Sequence, residues 1–263
     1  MALKASSSVI SIEKETRDDV YASDTAAYSD LASMTTILAN IAKVHDRIQQ
    51  AAQKSSRDVT DITLMAVSKT QPASAVADAH LLGGLCHFGE NYVQEAAEKR
   101  EALKHLPLVW HFIGPLQSNK TRLVAEHFHW CHSLDRLRIA ERLNEQRPAG
   151  LPALNVCVQL NIDDESSKSG LPLAAVSDFV AALQSMDRLA VRGLMVIPRA
   201  DQPATATLAS FQRTAACLRD LRQQFPALPL DTLSMGMSGD LELAIAAGST
   251  MVRVGTDIFG KRL

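Results

Sequence analysis

The sequence predicts an α/β fold, a single (β/α)8 TIM barrel that follows an N-terminal leader. Eight short apolar or β-branched runs alternate with amphipathic stretches over residues 62–260. Such alternation predicts parallel strands that are joined by right-handed helical crossovers. Each strand-helix unit takes about 25 residues, which suits a closed barrel at the compact end of its size range. A doubly wound open sheet is the alternative fold with the same alternation.

Residues 1–33 differ in composition from the rest of the chain. They are rich in serine, contain few large apolar residues and carry both acidic and basic side chains. Transit peptides avoid acidic residues and secretory signals need an apolar centre, so neither class fits. We predict a poorly ordered leader here and a barrel domain over residues 34–263. The domain begins with a helix, because one apolar stripe recurs at helical spacing: Ile37, Ile41, Val44 and Ile48.

The strands and helices of the barrel follow from the pattern of apolar residues. The predicted strands are Ile62–Lys69, His87–Asn91, His111–Gly114, Trp130–Leu134, Asn155–Ile162, Leu189–Ile197, Thr232–Gly236 and Met251–Gly255. Between them, helical spacing recurs at Val176, Phe179, Val180 and Leu183, and again at Leu208, Phe211, Ala215 and Leu218. Prolines precede and glycines follow the predicted helices at Pro72, Pro172, Pro203, Gly83, Gly84 and Gly248.

Composition narrows the classes of function. The chain has 263 residues, of which 46% are hydrophobic and 21% charged, and a formal net charge of -2. Because the net charge is slightly negative, it does not favour binding to nucleic acid or to an anionic membrane. The sequence contains no apolar run of the roughly 20 residues that a membrane span needs. The four cysteines are widely spaced and form no CxxC pair, which favours reduced thiols and a cytoplasmic protein.

The first predicted strand, ITLMAVSKT, ends on Lys69. Burial of an ammonium group lowers its pKa and leaves a fraction of neutral amine that can attack a carbonyl. Lys69 is therefore a candidate Schiff-base lysine. The alternative is an ordinary lysine whose stem packs while its head reaches water. In a barrel, Lys69 would share one rim with residues at the ends of other strands: Asn91, Gly114, Asn161 and Ile197.

Two loops rich in small residues follow the last two strands. They read SMGMSGD over residues 234–240 and RVGT over residues 253–256. Backbone N-H groups and hydroxyls in such loops bind oxyanions, and these two positions are the usual phosphate site of this barrel. The ligand would then carry both a phosphate and an aldehyde. Pyridoxal 5'-phosphate (PLP) satisfies both conditions, and phosphosugars are the other candidates.

Three further features each have two interpretations. Arg253 could meet a pyridine nitrogen and keep it unprotonated, or form a salt bridge at the barrel end. Lys168, in the loop ESSKSG, is either a solvated lysine or a second, reversible cofactor contact. The segment EHFHWCHSL holds three histidines, His127, His129 and His132, without a metal-ligand motif around them. We expect helix-end and surface histidines there and no metal site.

The combination of motifs identifies a family. The segments LMAVSKT, FGENYVQE, WHFIGPLQSNK, NIDDESSKSG, GLMVI, SMGMSGD and MVRVGT, in this order, resemble the pyridoxal phosphate homeostasis protein family. The resemblance runs from about Ile37 to Lys261. It implies a single barrel of the alanine racemase N-terminal type with PLP linked to Lys69. It also implies the other cofactor-binding residues: Asn91, Met195, Ser238, Arg253, Gly255 and Thr256. The leader has no counterpart in it.

The family implies vitamin B6 homeostasis and supply rather than robust catalysis. Two-base racemisation needs an acid or base on each face of the cofactor, and the usual tyrosine comes from a second domain. The sequence offers only Tyr21, Tyr28 and Tyr92, and we expect no catalytic residue. We expect a monomer that supplies apo PLP-dependent enzymes. A weak PLP-dependent amino-acid racemase is the alternative, followed by a phosphosugar aldolase and by a barrel that binds no aldehyde.

Overall fold

Eight parallel strands form a closed barrel in the order of the sequence, from β1 to β8. The computed structural model describes residues 15–165 and 168–260, with the backbone alone for residues 15–33. Strand β1 pairs with both β2 and β8, and these pairings close the barrel. The predicted (β/α)8 barrel is confirmed, and the open sheet is wrong. Residues 1–14 of the predicted leader lie outside the described residues.

Every predicted strand is present, with its ends within two residues of the predicted ones. The strands are β1 Thr63–Val67, β2 His87–Glu90, β3 Val109–Phe112, β4 Trp130–Leu134, β5 Leu154–Leu160, β6 Leu189–Val196, β7 Thr232–Ser234 and β8 Met251–Val254. The largest shift is in β3, which begins two residues early because Val109 and Trp110 pair with His87 and Phe88 of β2.

Helices precede, connect and follow the strands of the barrel. They are α1 Glu15–Lys54, α2 Ala73–Leu81, α3 Val93–Ala102, α4 Thr121–His127, α5 Leu137–Gln146, α6 Val176–Leu183, α7 Ala204–Gln224, α8 Leu241–Ala246 and α9 Thr256–Phe259. Pro72 and Pro203 are the N-caps of α2 and α7, as predicted. None of the helices in the described part of the chain is long and apolar enough to cross a membrane.

Helix α1 packs against α2, α8 and α9 and so lies beside the last strands of the barrel. Its predicted apolar stripe is buried in the main core, with Ile37, Ile41, Val44 and Ile48 at most 4% exposed. Burial of such side chains stabilises the helix on the barrel by about 1.5–3 kcal/mol each. Tertiary packing therefore fixes α1 against the loops that follow β7 and β8.

The barrel interior contains polar residues as well as apolar ones. A small apolar cluster of Trp130, Cys157 and Met195 is separate from the main core. Beside it, His111 and His132 are fully buried. The prediction of helix-end and surface histidines is wrong for His132, because strand alternation directs this β4 side chain into the barrel. His127 is the last residue of α4, as predicted.

Candidate functional site

A cavity of about 280 Å³ opens at the C-terminal ends of the strands, and we call it the mouth cavity. Seven predicted site residues line it: Lys69, Asn91, Met195, Ser238, Arg253, Gly255 and Thr256. Ile197 of the predicted rim lines it too. Gly114 and Asn161 do not line it. Asn161 instead holds the loop after β5, because its side chain bonds to the backbone N-H and carbonyl of Glu165.

Lys69 follows β1, and hydrogen bonds hold the backbone on both sides of it. The carbonyl of Ser68 accepts from Lys99 Nζ at 2.7 Å, and the N-H of Thr70 donates to Glu95 Oε1 at 2.6 Å. Thr70 has a φ of 65°, in the left-handed region that non-glycine residues rarely adopt. The neighbouring side chains of α3 therefore stabilise the turn that directs Lys69.

The same Lys99 and Glu95 side chains also belong to a buried ion-pair network with Glu90. Lys99 Nζ lies 2.8 Å from Glu90 Oε1 and 2.6 Å from Glu95 Oε1, and Ser68 Oγ donates to Glu90 Oε1 at 2.6 Å. Glu90 is fully buried, and this burial raises its pKa although Lys99 acts in the opposite direction. No sequence pattern predicts this network. The GEN motif contains Glu90, but nothing local pairs it with Lys99.

Arg253 is buried beneath the mouth cavity and has neutral hydrogen-bond acceptors. Its Nη1 donates to the Ser234 carbonyl at 2.6 Å and to Ser234 Oγ at 2.9 Å. Its Nη2 donates to the Val196 carbonyl at 3.0 Å. Burial lowers the pKa of Arg253 to about 10, and the charge of Asp240 opposes this shift. Arg253 therefore stays a cation at neutral pH, and the predicted alternative of a salt bridge finds no carboxylate partner in the described residues.

The loops after β7 and β8 form one wall of the cavity from small residues. Ser238, Gly239, Gly255 and Thr256 all line it. A Cβ atom at Gly239 would meet no atom within 4 Å, so this wall has open space beside the backbone. Thr256 begins α9, and the first N-H groups of a helix have no partner within the helix. The wall can therefore offer backbone N-H groups and hydroxyls to an anion.

Arg47 of α1 joins these two loops from the outside. It donates to Glu242 at 2.8 Å, to Asp257 at 2.6 Å and to the Ser238 carbonyl at 2.8 Å. Asn40, two helical turns before Arg47, donates to the Ile258 carbonyl at 3.1 Å. No sequence pattern points to Arg47, because its three partners lie about 190–210 residues further along the chain.

Asn91 supplies an unsatisfied polar atom to the mouth cavity. Its Oδ1 is buried and has no hydrogen-bond partner among the described residues. The Asn91 backbone is held by close packing, since a Cβ at Gly114 would lie 2.4 Å from the Asn91 carbonyl oxygen. A buried polar atom without a partner costs about 1–3 kcal/mol, so the site fits a ligand with polar groups at this point. Together with Lys69, Arg253 and the small-residue wall, this set of polar groups fits PLP.

Lys168 lies in a second cavity of about 280 Å³ beside the mouth cavity. The two cavities share Asn91, Ile113, Met195 and Ile197. Lys168 Nζ is 2.9 Å from Glu165 Oε2 and 3.0 Å from the Pro198 carbonyl. Lys168 therefore does not line the mouth cavity. It lines the neighbouring cavity, and the two cavities have one wall in common.

The sequence is similar to one family of known proteins over most of its length. The family model of the alanine racemase N-terminal domain matches residues 39–262. The pyridoxal phosphate homeostasis protein of Pseudomonas aeruginosa is 55% identical over 229 residues, 87% of this chain and 97% of that protein. The protein of the same name from Escherichia coli strain K12 is 53% identical over 232 residues, with 87% and 98% covered.

The solved structures show the same barrel. PipY of Synechococcus elongatus PCC7942, solved with PLP bound, is 40% identical and superposes with a TM-score of 0.72. The match covers 81% of this chain and all of that one. The sequence identity extends over nearly the full length of these relatives. The chain therefore belongs to the pyridoxal phosphate homeostasis protein family, whose barrel is that of the alanine racemase N-terminal domain.

Proposed function

We propose that this protein binds pyridoxal 5'-phosphate in the mouth cavity and serves vitamin B6 homeostasis and supply. The observation that carries the proposal is one cavity that combines Lys69, the buried cation Arg253 and the wall of small residues. The names of the relatives from P. aeruginosa and E. coli support it, as does the PLP-bound structure of PipY.

Each of the seven predicted site residues in the mouth cavity has a task in this proposal. The amine of Lys69 is the point of covalent attachment for the cofactor aldehyde, with loss of water. Ser238, Gly255 and Thr256 hold the phosphate, and Arg253 faces the ring nitrogen. Since a guanidinium has donors and no acceptor, it keeps this nitrogen unprotonated. Asn91 and Met195, at the ends of β2 and β6, line the ring.

Bound PLP would supply an electron-withdrawing ring, and an unprotonated ring nitrogen weakens it in this role. Racemisation would need a second acid or base on the face of the cofactor opposite Lys69. Tyr92, the one tyrosine whose side chain the structure describes, is 57% exposed and is not among the residues that line the cavity. A binding and supply role therefore ranks above racemisation.

Absorbance tests the binding site. After loading with PLP and removal of unbound PLP by gel filtration, a near-violet band should remain for the wild type and for Lys104→Ala, which removes an exposed lysine. The Lys69→Ala variant should bind PLP more weakly and without this band, because it lacks the attacking amine. A Lys69→Ala protein that keeps the band would refute the attachment site.

A chirality assay separates supply from catalysis. The PLP-loaded protein is incubated with single enantiomers of several amino acids, and their chirality is followed by chromatography. We expect no turnover above that of the Lys69→Ala variant. Turnover by the wild type that survives removal of trace racemases would make the racemase alternative the better description.

Transfer to a recipient apo-enzyme tests the role of Lys168. We propose that Lys168 offers a second, reversible contact as the cofactor leaves, because its cavity shares a wall with the mouth cavity. Lys168→Ala should slow the activation of an added apo PLP-dependent enzyme and leave the absorbance of the loaded protein unchanged. Equal transfer rates for Lys168→Ala and wild type would end this part of the proposal.

A further inference from the structure

A row of three hydrogen-bonded histidines crosses the barrel interior and ends on Arg253. His87 Nδ1 lies 2.9 Å from His111 Nε2, and His111 Nδ1 lies 2.9 Å from His132 Nε2. His132 Nδ1 is 2.9 Å from Ser234 Oγ, which accepts from Arg253 Nη1 at 2.9 Å. The row takes one residue from each of β2, β3, β4, β7 and β8.

The two ends of the row face different cavities. Arg253 lines the mouth cavity at the C-terminal ends of the strands. His87, the first residue of β2, lines a cavity of about 390 Å³ at the opposite end, together with Arg57, Arg192 and Asp231. The three residues between the ends, His111, His132 and Ser234, are fully buried. The row is therefore a continuous polar path through an otherwise packed interior.

Hydrogen-bonding capacity fixes the direction of this row. A guanidinium only donates, so Ser234 Oγ accepts from Arg253 and has one hydrogen left to give. Within the described residues, the acceptor for this hydrogen is His132 Nδ1. The proton of neutral His132 then lies on Nε2 and is donated to His111 Nδ1. By the same step His111 Nε2 donates to His87 Nδ1, and the remaining proton of His87 lies on Nε2.

The surroundings keep the row neutral. Burial lowers the pKa of His132 to about 3, and the neighbouring charge of Arg253 acts in the same direction. Burial also lowers the pKa of His111 well below its usual value. The His111 ring stacks on Trp130 at 5.5 Å and 20°, which restrains its orientation. Arg253 is thus held by neutral groups, and its charge stays available to the mouth cavity.

We propose that Ser234, His132, His111 and His87 form a directed positioning relay that aims the guanidinium of Arg253 at its ligand. Reversal of one bond between two rings would set two N-H donors against each other unless every bond up to Ser234 were reversed as well. Ser234 would then face two donors and have no acceptor for its own hydrogen. Each member therefore depends on the tautomer of the next, and the relay extends the site of Arg253 to the opposite end of the barrel. The relay rests on the proposed function in one respect, namely that the ligand of Arg253 is PLP.

The tautomers can be measured without any ligand. We expect nitrogen-15 spectra of the histidine-labelled protein to show His111 and His132 as neutral Nε2-H tautomers at about pH 6.5, where a solvated histidine is half protonated. Ser234→Ala removes the hydroxyl that fixes the direction and should shift the His132 signals toward a mixture of tautomers. Ser249→Ala, at a buried serine whose hydroxyl donates to the Met235 backbone carbonyl, should not. A charged or Nδ1-H His132 in the wild type would overturn the relay.

A ligand analogue tests the effect on Arg253. The dissociation constants of PLP and of its 1-deaza analogue, in which carbon replaces the ring nitrogen, are compared for each variant. Loss of a hydrogen bond to a charged group corresponds to about tenfold in affinity. Ser234→Ala and His132→Leu should reduce the preference for PLP over the analogue by up to about this factor, and Ser249→Ala should retain it.

His132→Asn keeps an acceptor for Ser234 and should restore most of the preference. A merely structural loss would weaken both ligands equally and leave their ratio unchanged, which would refute the relay. Absence of PLP binding to the wild type would refute the proposed function instead, and the nitrogen-15 result would still decide whether the relay exists.

Discussion

At the scale of single residues, the backbone position of Lys69 depends on neighbours that do not line the mouth cavity. Lys99 neutralises Glu90 inside the protein and also bonds to the Ser68 carbonyl next to Lys69. Glu95, bound to the same lysine, accepts from the Thr70 backbone. The position of the Lys69 backbone is thus coupled to a buried ion pair, in which removal of one partner leaves the other without compensation.

Lys99→Met should therefore lower the free energy of unfolding by about 3–5 kcal/mol, because it leaves Glu90 buried and unpaired. Chemical denaturation measures this change. The double variant Glu90→Gln with Lys99→Met should recover part of the loss, since no buried charge remains. Lys104→Met, which breaks an exposed pair with Glu101, is the control and should leave stability nearly unchanged. A Lys99→Met variant as stable as Lys104→Met would contradict the prediction.

The buried histidines make stability depend on pH. The folded state holds the pKa of His132 at about 3, compared with 6.5 for a solvated histidine. Between about pH 3 and pH 6.5, His132 binds a proton in the unfolded chain but stays neutral in the folded chain. Stability should therefore be highest above pH 6.5 and fall on acidification, by up to about 1.4 kcal/mol per pH unit for this residue.

Denaturation of wild type and His132→Asn at several pH values measures this contribution. The variant should lose less stability than the wild type between pH 6.5 and about 4.5, although it starts from a lower value. His45→Asn, which removes an exposed histidine of α1, is the matched control. Parallel curves for wild type and His132→Asn would show that His132 is not buried neutral.

At the scale of elements, helix α1 supports the site although it is not part of the repeating barrel. Its apolar stripe fixes it on the barrel, and Arg47 then joins the loops after β7 and β8. These two loops form the wall that we assign to the phosphate. Such a link orders a binding loop before the ligand arrives, which reduces the entropy cost of binding.

Arg47→Met should weaken the binding of PLP by about fivefold, the equivalent of about 1 kcal/mol for a partly exposed ion pair. The binding of pyridoxal, which lacks the phosphate, should change much less. Fluorescence or absorbance titration with both ligands measures the ratio. Arg122→Met removes an exposed arginine of α4 and should change neither. Equal weakening for the two ligands would place the effect of Arg47 outside the phosphate wall.

At the scale of the whole molecule, the sequence predicts the barrel and most of the residues around its mouth. Strands were found because each is a short apolar run, and parallel topology then brings their C-terminal ends together. This geometry alone unites Lys69, Asn91 and Arg253 in one cavity. The leader of residues 1–33 and the monomeric state stay predictions.

The features that no sequence pattern reveals are pairings between distant polar residues. His132 was expected at a helix end or on the surface because polar residues usually lie there, whereas this barrel interior is partly polar. Arg47 and Lys99 bind partners on other elements, and no local period encodes such pairings. Side-chain networks of this kind become visible only when the strands and helices are in place.

Reduction with borohydride, followed by peptide mass mapping, tests most directly whether this barrel holds PLP covalently at its mouth. The PLP-loaded wild-type protein should yield one modified peptide, and fragmentation should locate the added mass on Lys69. The Lys69→Ala protein, treated in the same way, should yield none. Added mass on another lysine in place of Lys69, or no stable adduct on the wild type, would contradict the proposal.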